Sequence, residues 1–207
     1  ARPMETPTEA EVLAAARAID LPECGPCGGK CCRTPWTVFA TPRDLARLEA
    51  ATGRPAASFA RVAPVPAWER DAYGEGNLLF SRVAAANGEV PQLAKREDGA
   101  CVFLDGQGWC GVHEAKPLLC RLFPFYYERA PYSPAERPSP LRTERGGLRL
   151  LIDRGHTGFC PIPPERLEAL EGAHADRLLL LMQAFEADIA RYEGEKEAFV
   201  AAWLTRR

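Results

Sequence analysis

The chain has 207 residues, nearly half of them apolar, which is enough to bury a core without cross-links. Its 26 basic and 28 acidic residues leave a formal net charge of −2, so nothing global attracts it to nucleic acid or to an anionic membrane. No apolar run is long enough to span a bilayer. Residues 1–20, interrupted by Glu5, Glu9, Glu11 and Asp20, carry no secretory pattern, so a reducing cytoplasm is the expected home. Met4 is the expected natural start, with Ala1-Arg2-Pro3 an added remnant.

Thr8-Glu9-Ala10-Glu11 has the spacing of a capping box, and Val12, Leu13, Ala16 and Ile19 recur at helical intervals, which predicts a helix over about 9–19. A Gly- and Pro-rich loop carrying four cysteines follows, and Trp36–Phe39 reads as a short strand. Thr41-Pro42 opens a second helix that turns Leu45, Leu48 and Ala51 inward and stops at Gly53. Ser58–Val62 is expected to add one helical turn. Leu78–Phe80 and Ala84–Leu93 are expected to form a strand and an irregular connection. Cys101–Leu104 and Trp109–Val112, joined by a Gly-rich turn, read as a hairpin, and His113–Leu122 as a short helix or turn. Four prolines make residues 128–140 a surface loop or flap, and Leu148–Ile152 a strand follows it. Beyond Pro163-Pro164 a helical pattern runs through Leu167, Leu170, Leu178, Leu181, Phe185, Ile189 and Tyr192 to Trp203, with breaks expected at Gly172 and Gly194.

Eight cysteines dominate the chemistry: Cys24, Cys27, Cys31, Cys32, Cys101, Cys110, Cys120 and Cys160. In a reducing compartment such clustering points to metal or catalysis before disulfides. One iron–sulfur cluster with spare ligands, two four-sulfur sites and four disulfides are the alternatives. Cys24-x2-Cys27 is a chelate spacing: both sulfurs can face one metal while intervening backbone N–H groups bond the thiolates. Cys31 lies about one helical turn further on. Cys32 cannot easily share an ion with its neighbour, because adjacent side chains diverge. Thiolates are soft ligands that select zinc or iron–sulfur chemistry over magnesium or calcium. The Cys-x3-Cys-x2-Cys order common in radical S-adenosylmethionine enzymes is absent.

His113 and His156 stand near Cys110 and Cys160 as candidate ligands or outer partners, and His174 is expected to be structural. Lys30, Arg33, Lys116 and Arg121 lie beside sulfurs, where a cation lowers the cost of a buried anionic centre. Arg121, between Cys120 and an apolar run, is the strongest of them.

Taken together, Cys24-x2-Cys27-x3-Cys31-Cys32, Gly99-x-Cys101-x-Phe103-Leu104 and Cys110-x3-Glu114-x2-Pro117-x2-Cys120-Arg121-x-Phe123-Pro124-Phe125 resemble the YkgJ-type cysteine-cluster family of zinc- or iron-chelating domains. That family includes a flagellin lysine N-methylase associated with an iron–sulfur cluster. The resemblance implies that all eight cysteines are candidate ligands and that Arg121 and Pro124 belong to the site wall. The chain departs from the family where His113 and Lys116 replace a frequent aromatic residue and arginine.

The expected fold is α+β, one domain over residues 1–207. It has a cysteine-rich core with short strands at about 20–162, wrapped by helices, and a helical segment from about 163 to the end. The expected function is metal binding through an iron–sulfur cluster, most simply [4Fe-4S], in redox or in modification of a protein or peptide substrate. The alternative is a Zn2+ module that binds a partner without catalysis. No nucleic acid or membrane partner is expected, and the sequence assigns no catalytic residue.

Overall fold

The computed structural model describes residues 6–19, 27–73, 78–131, 144–152 and 162–205. It is an α+β protein of short antiparallel sheets and helices that ends in a long helix. The chain divides into two compact units. The first takes Ala1–Cys31, Gly106–Trp109 and Leu118–Ala187, and the second Cys32–Asp105, Cys110–Pro117 and Asp188–Arg207.

In the first unit, α1 (Glu9–Ala18) starts on the predicted capping box. The Thr8 side chain accepts from Glu11 N–H while the Glu11 carboxylate accepts from Thr8 N–H at 2.8 Å. A three-stranded sheet, ordered β3 (Phe125–Arg129), β5 (Leu148–Ile152), β4 (Glu144–Arg145), contains the predicted strand at 148–152. Glu128 and Arg149 lie directly opposite across β3 and β5 and form an ion pair. The start of α6 (Pro164–Leu204) packs on this sheet: the Tyr127 ring meets Phe185 edge-on, its hydroxyl donates to Glu186 at 3.1 Å, and Arg129 pairs with the same carboxylate.

The second unit is built on α2 (Pro42–Thr52), β1 (Ala60–Pro64), α3 (Ala67–Tyr73), α4 (Leu78–Val83), β2 (Glu89–Leu93) and the end of α6. Thr41 and Asp44 form the N-terminal capping box of α2, and Gly53, at φ +65°, closes it with an N–H bond to Glu49 O. Leu45 and Leu48 are buried, but Ala51 is exposed. At 100° per residue Ala51 lies about 120° round from Leu45, and Thr52 takes the inner position instead.

Strand β1 pairs antiparallel with β2 in the register Val62↔Pro91. The predicted helical turn at 58–62 is therefore a correction: a 3-10 turn ends at Ser58 and strand begins at Ala60, because Gln92 and its neighbours supply a partner that no local pattern announces. Residues 38–40 run along the other edge of β2, with Leu93 N–H donating to Val38 O and Ala40 N–H to Pro91 O. Only Phe39 forms a bridge there. Pro91 has no N–H to return, so the strand predicted at 36–39 is reduced to that contact.

Leu78–Phe80, expected as strand, is helical. The reason is tertiary. Lys196 of α6 donates to the Arg82 carbonyl at 3.0 Å, a cation at the C-terminus of α4, and Arg82 pairs with Glu193. Cys101–Leu104 and Cys110 meet through one bridge, Leu104↔Cys110, rather than a regular hairpin. Helix α6 breaks its dihedrals at His174, two residues past Gly172, and continues through Gly194. Burial of Tyr192 and the ion pair of Glu193 outweigh the cost of about 1 kcal/mol that a mid-helix glycine carries. Of the flap expected at 128–140, residues 132–140 lie outside the described residues.

Candidate metal centre

Cys24, Cys160 and His156 lie outside the described residues. The other six cysteines carry thiols rather than disulfides. Cys27 is half-buried and leads into two successive glycines in the left-handed region, Gly28 at φ +64° and Gly29 at φ +69°. These conformations cost a residue with Cβ dearly and glycine little. Lys30–Arg33 then form a 3-10 turn. Three residues per turn sets neighbouring side chains about 120° apart. Cys31 is exposed and Cys32 half-buried, so the two members of the pair sit in different surroundings.

In the second unit, the turn from Lys95 to Cys101 closes on Gly99 at φ +79°, with Lys95 and Cys101 bridged. The closure presents Cys101 N–H to the carbonyl of Cys32 at 2.7 Å. Two cysteines far apart in sequence are thus neighbours on the backbone. Cys101 is buried in a cluster with Phe59, Phe103, Val112 and Ala115, and Cys32 and Cys110 pack against that cluster with Phe199 and Trp203 of α6. Gly111 N–H to Phe103 O at 2.8 Å and His113 N–H to Cys110 O at 3.1 Å fix the backbone on either side of Cys110. His113 itself is exposed.

The chain leaving Cys32 is held at two further points. Lys95 Nζ donates to Thr34 O at 3.1 Å. Thr37 donates its N–H to both oxygens of Glu69 at 3.0 Å and its hydroxyl to one at 2.7 Å. Glu69 is fully buried, and burial pushes its carboxyl above the ordinary value of 4.5, opposed by the Thr37 hydrogen bonds and by the charge of Lys95. Neither Glu69 nor Lys95 was expected from sequence. Glu69 stands in a stretch with no clear periodicity, and no spacing ties either residue to the cysteines.

In the first unit, Cys120 is half-buried on α5 (Leu118–Leu122), flanked by buried Arg121 and followed by buried Pro124. Lys30 and Arg33 are exposed, and Lys116 is half-buried. His174 hydrogen-bonds Arg177 through Nδ1 at 2.8 Å on α6. Among the described residues, no three His, Cys, Asp or Glu side chains converge as a single-ion site. The donor set nevertheless fits a soft metal: every described cysteine is a thiol, and the backbone around Cys32, Cys101 and Cys110 is fixed by hydrogen bonds that do not use sulfur.

Fold and donors together define a cysteine-rich metal-chelating α+β domain. The chain belongs to the CxxCxxCC family, described as a "putative zinc- or iron-chelating domain", whose pattern matches residues 23–139, more than half of its length. The match takes in every cysteine except Cys160 and agrees with the cysteine-cluster resemblance. Comparison with curated proteins and with solved structures returned no significant match. Among the described residues no helix is long and apolar enough to cross a membrane.

Proposed function

We propose that the cysteines hold an iron–sulfur cluster, [4Fe-4S], and that the protein works in the cytoplasm in redox or in modification of a protein or peptide. The observation that carries the reading is the Cys31–Cys32 pair on its 3-10 turn, one thiol exposed and the other half-buried. A tetrahedral zinc takes ligands that point at one atom, so it would use one member of such a pair. A cluster offers a separate iron to each thiolate and can use diverging sulfurs. Cys24, Cys27, Cys31, Cys32, Cys101, Cys110, Cys120 and Cys160 are the candidate ligands, with Arg121 and Pro124 as wall residues. A buried guanidinium such as Arg121 would offset the negative charge of a thiolate-bound centre, and when bound the cluster would supply one-electron transfer.

The test is the visible spectrum of anaerobically purified protein. Broad absorbance bleached by dithionite supports the reading, and single Cys31→Ala and Cys32→Ala changes should each diminish it. Colourless protein that keeps stoichiometric zinc overturns it in favour of a zinc module.

A further inference from the structure

The Gly106–Trp109 tip of the turn between Leu104 and Cys110 belongs to the same compact unit as the Cys27–Cys31 loop. Gly108 is buried at φ +84°, and its open side faces the loop backbone. A Cβ at Gly108 would lie 2.7 Å from Gly28 Cα, 3.0 Å from Gly28 C and 3.1 Å from Gly28 O. All three are backbone atoms, so no flexible side chain could swing aside. A Cβ at Gly28 itself meets nothing within 4 Å, which makes the restriction one-sided.

We propose that Gly108 is a positioning residue for the metal centre: its bare Cα lets the turn tip seat directly behind Gly28 and so sets the spacing of the Cys27 and Cys31 sulfurs. The proposal rests on the reading that this loop binds metal. Ordinary contact begins at 3.4 Å, so a methyl at Gly108 must drive the two backbones apart by about 0.7 Å. Metal–thiolate bonds tolerate only about ±0.2 Å around 2.3 Å. The displacement therefore exceeds what the ligand bonds can absorb, and it acts through the backbone of Gly28.

Gly147 supplies the control. It lies in the same unit at φ +78°, with the same backbone strain for a Cβ, but its nearest neighbour is Ala130 Cβ at an ordinary 3.9 Å. The experiment loads wild type, Gly108→Ala and Gly147→Ala with Co2+ and reads the thiolate-to-cobalt charge-transfer bands and the affinity in competition with a chromophoric chelator. Circular dichroism monitors the fold. Gly108→Ala should weaken affinity tenfold or more and shift the bands, while Gly147→Ala stays within twofold of wild type. Equal affinity and spectra for Gly108→Ala and wild type overturn the proposal while leaving the metal reading intact; a wild type that takes up neither Co2+ nor, on anaerobic reconstitution with iron and sulfide, a cluster overturns both. Should Gly108→Ala not fold, hydrogen exchange on wild type decides. Metal loading should slow the amides at 106–109 more than those at 146–147, and equal change at the two turns overturns the proposal.

Discussion

Removal of the Glu69 carboxylate tests how the segment leaving the cysteine pair is held. In Glu69→Ala, the Thr37 N–H loses two acceptors at 3.0 Å and the Thr37 hydroxyl loses one at 2.7 Å. Hydrogen bonds to a charged group contribute about 1.5–3 kcal/mol each, and a donor left unpaired in a buried place costs about 1–3 kcal/mol. Burial of the carboxylate is itself unfavourable, as its raised pKa shows, so the net loss is set at about 3 kcal/mol rather than the sum. Glu69→Gln keeps the volume and one carbonyl acceptor, and should cost about 1 kcal/mol near neutral pH. The pH dependence has a definite sign. A carboxyl with its folded pKa above 4.5 binds its proton more tightly in the folded state. The stability it contributes is complete below 4.5 and declines as pH rises through the folded value. Urea unfolding of metal-free protein between about pH 4 and 7 should therefore show wild type losing stability relative to Glu69→Gln, then running parallel to it. A gap that is flat across that range, or that widens in favour of wild type as pH rises, would refute the argument, as would Glu69→Ala matching wild type in stability.

Cys31→Ser and Cys101→Ser should both reduce metal uptake, but only Cys101→Ser should destabilise the metal-free protein, by about 1–2 kcal/mol in a urea melt, because Cys101 lies in the apolar cluster and Cys31 is exposed. Thr41→Ala removes the buried cap of α2 and should cost about 1 kcal/mol, read as a lower urea midpoint at unchanged slope. Leu48→Ala, at a fully buried position of the same helix, should cost about 2–5 kcal/mol by the same assay. Lys196→Met removes the cation from the last carbonyls of α4 and should speed amide exchange at 78–83 ahead of the rest of the second unit.

Elements with local punctuation were legible in the sequence. The Thr8–Glu11 capping box, the Thr41 cap, the Gly53 stop, the 148–152 strand and the C-terminal helix carry their signals within a few residues. The failures have one physical origin. Leu78–Phe80 is helical because Lys196 and Glu193, more than 100 residues away, bind the end of its helix, and Ala60–Val62 is strand because β2 offers it a partner. Local pattern contains neither fact. The same holds for the site: thiol count and spacing marked the candidate donors, and the structure places Cys31 exposed and Cys32 half-buried. The bond between Cys101 N–H and Cys32 O, the Glu69–Thr37 clamp and the approach of Gly108 to Gly28 depend on folding together segments whose sequences show no mutual pattern.

The central claim is tested most directly by iron, zinc and acid-labile sulfide analysis of the same anaerobically purified sample. Iron and sulfide should be present in equal amounts, with no more than trace zinc. Stoichiometric zinc without sulfide, or a folded protein with neither metal, would contradict it.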